Sequence, residues 1–168
     1  MEWIYNDGGR SKYFKAGRVN DCVCRAISIA NDMDYMEVYK LIETYAKKEK
    51  SGKTTKSSPR NGVRKDTTRK ILESLGWKWV ATMSIGSGCK VHLTPDELPS
   101  GTIIVSVSKH VVAVKDGVIY DTYDPSRDEG RCVYGYFIKE DKIELSDEVK
   151  NYIENDIKIL NELVRRSN

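Results

Sequence analysis

Cys22 is the residue of this chain whose sequence neighbours best suit it to act as a nucleophile. It follows Asp21 in the run VNDCVCRAISIA, whose apolar residues recur at helical spacing and predict a helix from about Asp21 to Ala30. The thiol then lies in the first turn, where unpaired N–H groups and the helix dipole favour negative charge. A thiol there ionises more readily, and the same N–H groups can hold an oxyanion. The position therefore suits acyl transfer; the alternative is a cysteine that only packs in the core.

His110 is the candidate general base for that thiol. It opens the strand-like segment HVVAV and is one of 2 histidines in the chain. The alternation of apolar residues changes phase between Val107 and His110, which predicts a turn or bulge at Ser108-Lys109. Such irregularities often re-aim a side chain beside an active site. The alternative is a histidine with a structural role at the edge of a strand.

Asp121 and Asp124 are the two candidates for the group that orients the imidazole. The sequence KDGV predicts a tight hairpin through Asp116-Gly117, which returns the chain towards His110. A two-residue turn places Asp121 on the face of the sheet that His110 occupies, and a three-residue turn with a glycine bulge places Asp124 there. Either carboxylate could fix the imidazole tautomer and stabilise the imidazolium, as the third member of a catalytic triad does.

The elements that must position these residues are helices first and strands second. After the helix at Asp21, others are predicted to begin at Asp34 and to run from about Asp66 to Leu75, whereas residues 1–19 look irregular. Short segments rich in β-branched and aromatic residues then predict five strands: WKWVAT, TIIVSV, HVVAV, GVIYDT and CVYGYFI. A closing helix is predicted over residues 145–165. This order predicts one α+β domain over 1–168, with N-terminal helices packed on a C-terminal antiparallel sheet.

The composition fits an ordinary globular protein of 168 residues, with 39% hydrophobic and 32% charged residues. There is no apolar run long enough for a membrane span and no apolar stretch typical of a signal peptide, so we expect a cytoplasmic protein that does not bind membranes. In a reducing cytoplasm the four cysteines, Cys22, Cys24, Cys89 and Cys132, are expected to be free thiols.

The other cysteines have alternative interpretations. Cys24 lies about 200° round the helix from Cys22, and we interpret it as core packing. Cys132 begins a strand and is interpreted as structural. Cys89 and His92 form a Cys-x-x-His pair that could join the first two cysteines in a zinc site, but Cys-x-Cys is tighter than the usual zinc spacing. We therefore predict no metal and no cofactor.

The segment from Lys47 to Lys70 carries an excess of positive charge. It holds ten basic and two acidic residues, a net charge of +8 in a chain whose total is +3. We interpret residues 47–66 as a flexible, solvated loop that could act as a lid or bind an acidic partner. The stretch SGKTTKSSPRNG contains no aromatic residue to stack on a base, which argues against binding of nucleic acid.

The segments NDCVCRAI, GTIIVSVSKHVVAV and DGVIYDTYDP together resemble the papain-like cysteine peptidase fold. They are similar in particular to small bacteriocin-processing-peptidase-like proteins encoded by phages and gut bacteria. The resemblance covers residues from about 19 to 138. It implies that Cys22 is the nucleophile, that His110 is the base and that Asp121 or Asp124 is the third member of the triad.

The resemblance also has implications for the oxyanion hole and for the activity. The family pattern has a Gln six residues before the nucleophile, where this chain has Ala16, and the side-chain amide of Asn20 is the candidate replacement. The implied activity is hydrolysis of a peptide or isopeptide bond in a peptide or protein substrate. The alternative is a non-catalytic binding protein on the same fold, such as a phage counter-defence protein that binds a host protein or a nucleotide signal.

Overall fold

The computed structural model of the chain describes residues 1–15, 17, 19–51, 55–128 and 130–139. In these residues the fold is α+β. The helices are α1 (Cys22–Asn31), α2 (Tyr35–Lys47) and α3 (Lys65–Ser74), with a short 3-10 turn at Arg10–Lys12. The strands are β1 (Glu2–Tyr5), β2 (Trp77–Ala81), β3 (Thr102–Val107), β4 (His110–Lys115), β5 (Val118–Asp121) and β6 (Val133–Lys139). The closing helix predicted over 145–165 lies outside the described residues.

The three helices begin and end close to the predicted positions because local signals specify their ends. The Asp34 carboxylate accepts a hydrogen bond of 2.8 Å from the Met36 N–H and so caps α2. Gly76, with a φ of 82°, follows α3 in a left-handed conformation that suits glycine. No helix within the described ranges is both long enough and apolar enough to cross a lipid bilayer.

The six strands form one mixed sheet in the order β1-β5-β4-β3-β6-β2. The neighbours from β5 to β2 pair antiparallel, whereas β1 pairs parallel with β5. The predictions of an irregular N-terminus and of a purely antiparallel sheet are therefore wrong at β1. All four residues of this strand are exposed, so the alternating burial that identifies a strand in a sequence is missing there.

The two faces of the sheet bury different apolar clusters, which fixes α1 against the middle of the sheet. Along β4, Val111 and Ala113 pack with the helices, and Val112 and Val114 pack on the opposite face. Helix α1 lies across β4 and also contacts β3 and β5. On the opposite face the cluster includes Leu93, which belongs to the loop before β3. The start of α1 is therefore held beside the start of β4.

A disulfide joins Cys89 to Cys132, with their Cα atoms 5.7 Å apart. The prediction of four free thiols is therefore wrong for this pair, and only Cys22 and Cys24 are free. The two cysteines meet because His92 and Cys132 form an isolated antiparallel bridge, a contact across many residues that local sequence does not reveal. The bond ties the loop before β3 to the start of β6.

The predicted basic loop over 47–66 is described except for residues 52–54. The Glu49 carboxylate, two residues beyond α2, accepts hydrogen bonds from the hydroxyl groups of Ser57 and Thr67, and it lies 3.5 Å from Nε of Arg64. Ser57 is buried. Glu49 thus links the two described parts of the segment to each other and to α3.

Candidate active site

Cys22 opens α1, and its thiol lies against the first residues of β4. Cys22, His110 and Val111 line one cleft, and hydrogen bonding to the His110 side chain and to the Val111 backbone N–H lowers the pKa of the thiol. The residue is half-buried and takes no part in a disulfide. The structure therefore brings together the thiol and the imidazole that the sequence singles out.

Asp121 holds the other side of the imidazole. Its Oδ2 lies 2.5 Å from Nε2 of His110, so Nδ1 is the ring nitrogen left for the thiol. This contact follows from the turn between β4 and β5, in which Lys115 pairs with Val118 and two residues form the loop. The two-residue turn is the alternative that selects Asp121. Both residues are buried, with 8% and 2% of their surface exposed.

Asp124 does not take part in this arrangement. It lies three residues beyond the end of β5, and its Oδ1 accepts a hydrogen bond of 2.8 Å from the Ser126 N–H. Of the two carboxylates that the sequence allows, the structure thus brings Asp121 and not Asp124 to the imidazole, because the observed register leaves Asp121 opposite the strand that begins with His110.

Arg25 is a site residue that the sequence analysis does not identify. Its Nη2 donates to Oδ1 of Asp121 at 2.9 Å, and its Nη1 forms an ion pair with Asp21. Only 4% of Arg25 is exposed, and it lies one helical turn after Cys22. A signal existed in the sequence, since Asp21 and Arg25 are spaced i,i+4, but that spacing is common on exposed helix faces.

Asp21 anchors this arginine from the other side. Its Oδ2 accepts a hydrogen bond of 2.9 Å from the Tyr35 hydroxyl and lies 3.5 Å from Nη1 of Arg10. Although Asp21 is the residue before α1, its carboxylate makes no capping hydrogen bond to the helix. The first turn of α1, which contains Cys22, is thus not capped by this carboxylate.

The electrostatics favour a thiolate beside an imidazolium. Burial raises the pKa of the Cys22 thiol, but the hydrogen bond and positive charge of His110, the Val111 N–H and the charge of Arg25 outweigh it, so the pKa is lowered from 9.0. Burial lowers the pKa of His110, but its hydrogen bonds to Asp121 and Cys22 and their charges raise it from 6.5 to about 9. Both pKa changes favour the Cys22 thiolate–His110 imidazolium pair over the neutral thiol–imidazole pair.

Asp121 stays ionised within this buried group. Burial raises the pKa of its carboxyl, but the hydrogen bond and charge of His110, the charge of Arg25 and the Thr122 N–H lower it overall. His110 and Arg25 together therefore allow this buried carboxylate to keep its negative charge.

The environment of Cys24 differs from that of Cys22, and it confirms the interpretation of Cys24 as a core residue. It is fully buried in the helix-side core, where its Sγ lies 3.7 Å from the Tyr35 carbonyl oxygen. Burial is the largest cause that raises the pKa of its thiol to about 12. Only one of the two neighbouring cysteines is therefore suited to act as a nucleophile.

A cleft of about 1190 Å³ opens over the Cys22–His110 pair. Asn20 lines it, is exposed, and donates its backbone N–H to the Arg60 carbonyl at 2.8 Å. Ala16 lies outside the described residues. The basic residues that line the cleft are Arg10, Arg25, Lys65, Arg69 and Lys109.

Aromatic residues form part of the walls of the same cleft. The Tyr123 ring packs beside the His110 ring, with centroids 5.0 Å apart. On the α3 side, the guanidinium of Arg69 lies 5.4 Å from the Trp79 ring centroid. The lining of the cleft thus offers both cations and aromatic faces to a ligand.

The four residues considered for zinc do not come together. Cys89 is used in the disulfide, and His92 Nδ1 lies 3.2 Å from Oε1 of Glu97. Cys24 is enclosed in the core. Within the described part of the chain, no group of three potential metal ligands is found.

Comparison with known proteins gave no match: no family model, no curated protein and no solved structure is significantly similar to the chain.

Proposed function

We propose that the chain is a papain-like cysteine hydrolase that cleaves a peptide or isopeptide bond by Cys-His-Asp catalysis. The observation that carries the proposal is the arrangement in which the half-buried Cys22 lies beside His110, and Oδ2 of Asp121 lies 2.5 Å from Nε2 of His110. A nucleophile, a base and an orienting carboxylate in that order are the parts that acyl transfer by a thiol requires.

The reaction proceeds in two halves. The Cys22 thiolate attacks the substrate carbonyl carbon, and the His110 imidazolium gives its proton to the leaving nitrogen as the C–N bond breaks. The amine departs and a thioester to Cys22 remains. Water then attacks the thioester while His110 takes a proton from it, the C–S bond breaks, and the acid leaves with Cys22 again a thiolate beside the imidazolium.

The oxyanion is stabilised by the start of α1. The Cys22 N–H and the side-chain amide of Asn20, which lines the cleft, are the proposed donors. Asp21 supports this role because its carboxylate makes no capping hydrogen bond to the helix. Arg25 and Asp121 act together to hold the His110 ring in one orientation.

The proposal is tested by alkylation with iodoacetamide, mapped by mass spectrometry. We expect Cys22 to react fastest, and at pH 6 at least ~10-fold faster in the native chain than in His110→Asn, because an unperturbed thiol is mostly protonated there. Labelling of Cys22 that is no faster than that of Cys24, or that does not depend on His110, would contradict the proposal.

The alternative, a binding protein on the same fold, is supported by the size of the cleft, about 1190 Å³, and by its basic lining. Cys22→Ala separates the two functions, since it removes the nucleophile and leaves the cleft walls in place. Loss of the biological effect in a folded Cys22→Ala protein supports catalysis. Retention of the effect supports binding.

We propose the cytoplasm as the location, because the mechanism needs Cys22 as a free thiol. The Cys89–Cys132 bond would be exposed to cellular reductants in that compartment. Differential thiol labelling of rapidly quenched cells tests this: in the cytoplasm the disulfide seen in the structure should be reduced and both cysteines labelled, whereas protection of both would argue for an oxidising compartment.

A further inference from the structure

A second cavity, of about 410 Å³, lies next to the candidate active site. We call it the arginine cavity, and its lining residues are Ser108, Lys109, His110, Tyr123, Asp124, Pro125, Arg127 and Arg131. Besides His110, whose charge is paired with Asp121, three of these side chains are cations, from Lys109, Arg127 and Arg131, and one is a carboxylate. That carboxylate, on Asp124, accepts a hydrogen bond from the Ser126 N–H. The cavity therefore has an excess of positive charge.

Arg131 is held in this cavity with part of its hydrogen-bonding capacity unused. The side chain is buried, with 9% exposed, and its Nη2 donates to the Ser108 carbonyl at 2.5 Å. Its Nε is also buried and has no hydrogen-bond partner among the described residues. A buried guanidinium N–H without a partner is costly, and an acceptor from a ligand would remove that cost.

Arg127 increases the excess of positive charge at the same place. Burial lowers the pKa of Arg131, and the nearby charge of Arg127 lowers it further. Arg127 is exposed and has a left-handed backbone, with a φ of 54°. Two arginines that repel each other in one cavity are both stabilised when an anion lies between them.

The arginine cavity adjoins the cleft over Cys22, so an anion bound in it would lie close to a substrate in the cleft. Lys109, His110 and Tyr123 line both the arginine cavity and the cleft over Cys22. A general acid must lie next to the nitrogen to which it gives its proton. The part of the substrate that leaves as the amine therefore lies on the His110 side, where the arginine cavity opens.

We propose that the arginine cavity binds a carboxylate on the leaving part of the substrate. The carboxylate is either an acidic side chain close to the scissile bond or the C-terminal carboxylate of a short leaving peptide. This inference rests on the proposed function, because it assigns the leaving side from the role of His110. The substrate class is thus a peptide that carries negative charge just beyond the bond that is cleaved.

The test uses the full-length Cys22→Ala protein, which binds without turnover, and three dipeptides that mimic the leaving part. Alanyl-glycine carries a terminal carboxylate, aspartyl-glycinamide carries only a side-chain carboxylate, and alanyl-glycinamide carries neither. NMR titration, with the Arg Nε–H signals included, gives each affinity. We expect one or both acidic dipeptides to bind roughly 10-fold more tightly than the amide, as expected for charge-assisted hydrogen bonds. The tighter of the two identifies the source of the carboxylate.

Two arginine variants and one control assign the binding to the cavity. Arg127→Gln and Arg131→Gln, each in the Cys22→Ala background, should remove the preference for the carboxylate. Lys70→Gln changes an exposed cation that lines neither cavity, and it should leave the preference intact. Because Arg131 is buried and its replacement could unfold the chain, the exposed Arg127 supplies the variant that keeps the test decisive.

Three results would overturn the inference: equal affinity for all three dipeptides, a preference that survives Arg127→Gln, or inorganic phosphate that competes as well as the acidic dipeptides and so marks a general anion site. Failure of the proposed function is detected by a different measurement, the alkylation rate of Cys22. If alkylation of Cys22 is slow while the acidic dipeptides still bind through Arg127, the carboxylate site stands and the hydrolase falls.

Discussion

Replacement of Asp121 by asparagine tests the electrostatic reasoning at its most sensitive point. The change keeps a hydrogen-bond acceptor near Nε2 of His110 but removes the negative charge that lies 2.5 Å away. The raised pKa of His110, from 6.5 to about 9, corresponds to roughly 3 kcal/mol in favour of the imidazolium. Asp121 and Cys22 together supply this preference against the opposing effect of burial.

The expected effect on the thiol follows from the shared proton. A less basic His110 holds the proton less firmly, so the equilibrium moves from thiolate–imidazolium towards thiol–imidazole. If the charge of Asp121 supplies about half of the preference, the equilibrium constant between the ion pair and the neutral pair falls roughly 10-fold. The iodoacetamide rate at pH 6 falls by up to about that factor, and the rate profile from pH 5 to 10 moves to higher pH.

Asp124→Asn is the matched control, because it makes the same chemical change on the neighbouring carboxylate that does not contact the imidazole. Its profile should coincide with that of the native chain. Circular dichroism on each variant confirms that the fold is kept. The reasoning is refuted if Asp121→Asn leaves the profile where it was, or if Asp124→Asn moves it as far.

Three further predictions concern the buried charges and the disulfide. Arg25→Met leaves the Asp21 and Asp121 carboxylates without their shared cation, and it should lower the free energy of unfolding in urea by about 3–5 kcal/mol; a loss below ~1 kcal/mol would contradict the buried pairing. The pKa of Asp121 is lower in the folded chain than its ordinary value of 3.8, so the ionised carboxylate stabilises the fold. This stabilisation is present above pH 3.8 and is lost as the pH falls through the folded-state pKa. The difference in unfolding free energy between the native chain and Asp121→Asn should therefore be full at pH 6 and shrink below pH 3.8, and a difference that stays constant to pH 2 would argue against an ionised Asp121. Reduction of the Cys89–Cys132 bond, which links residues 43 apart, should lower stability by about 4 kcal/mol from loop entropy, and a melting temperature unchanged by reductant would show that the bond does not constrain the chain.

The sequence was sufficient where local chemistry decides the structure. Asp116-Gly117 specifies the hairpin turn, and in the structure both residues have positive φ, 47° and 77°. The helix at Cys22 and the strand at His110 are likewise encoded by apolar spacing. These elements are enough to identify the candidate nucleophile and the candidate base, because each lies at the first residue of its element.

What the sequence left open depends on contacts between distant segments. The sequence allowed either Asp121 or Asp124 as the partner of His110, because the register depends on how β4 and β5 pack. It did not reveal Arg25, because this arginine is recognised as buried only once its distant partner Asp121 is known. The disulfide was missed for the same reason. Strand β1 was missed because its exposed side chains have no alternating pattern.

The two cysteine environments also affect how the protein responds to oxidation. Conditions that maintain the Cys89–Cys132 bond expose a low-pKa thiolate at Cys22 to conversion into a sulfenic acid. Cys24 is the one other free thiol, and it is enclosed in the core with its sulfur against a backbone carbonyl, so it cannot condense with that sulfenic acid. An oxidised Cys22 therefore depends on a small external thiol for repair, and without one a second equivalent of oxidant such as a peroxide converts it to the irreversible sulfinic form.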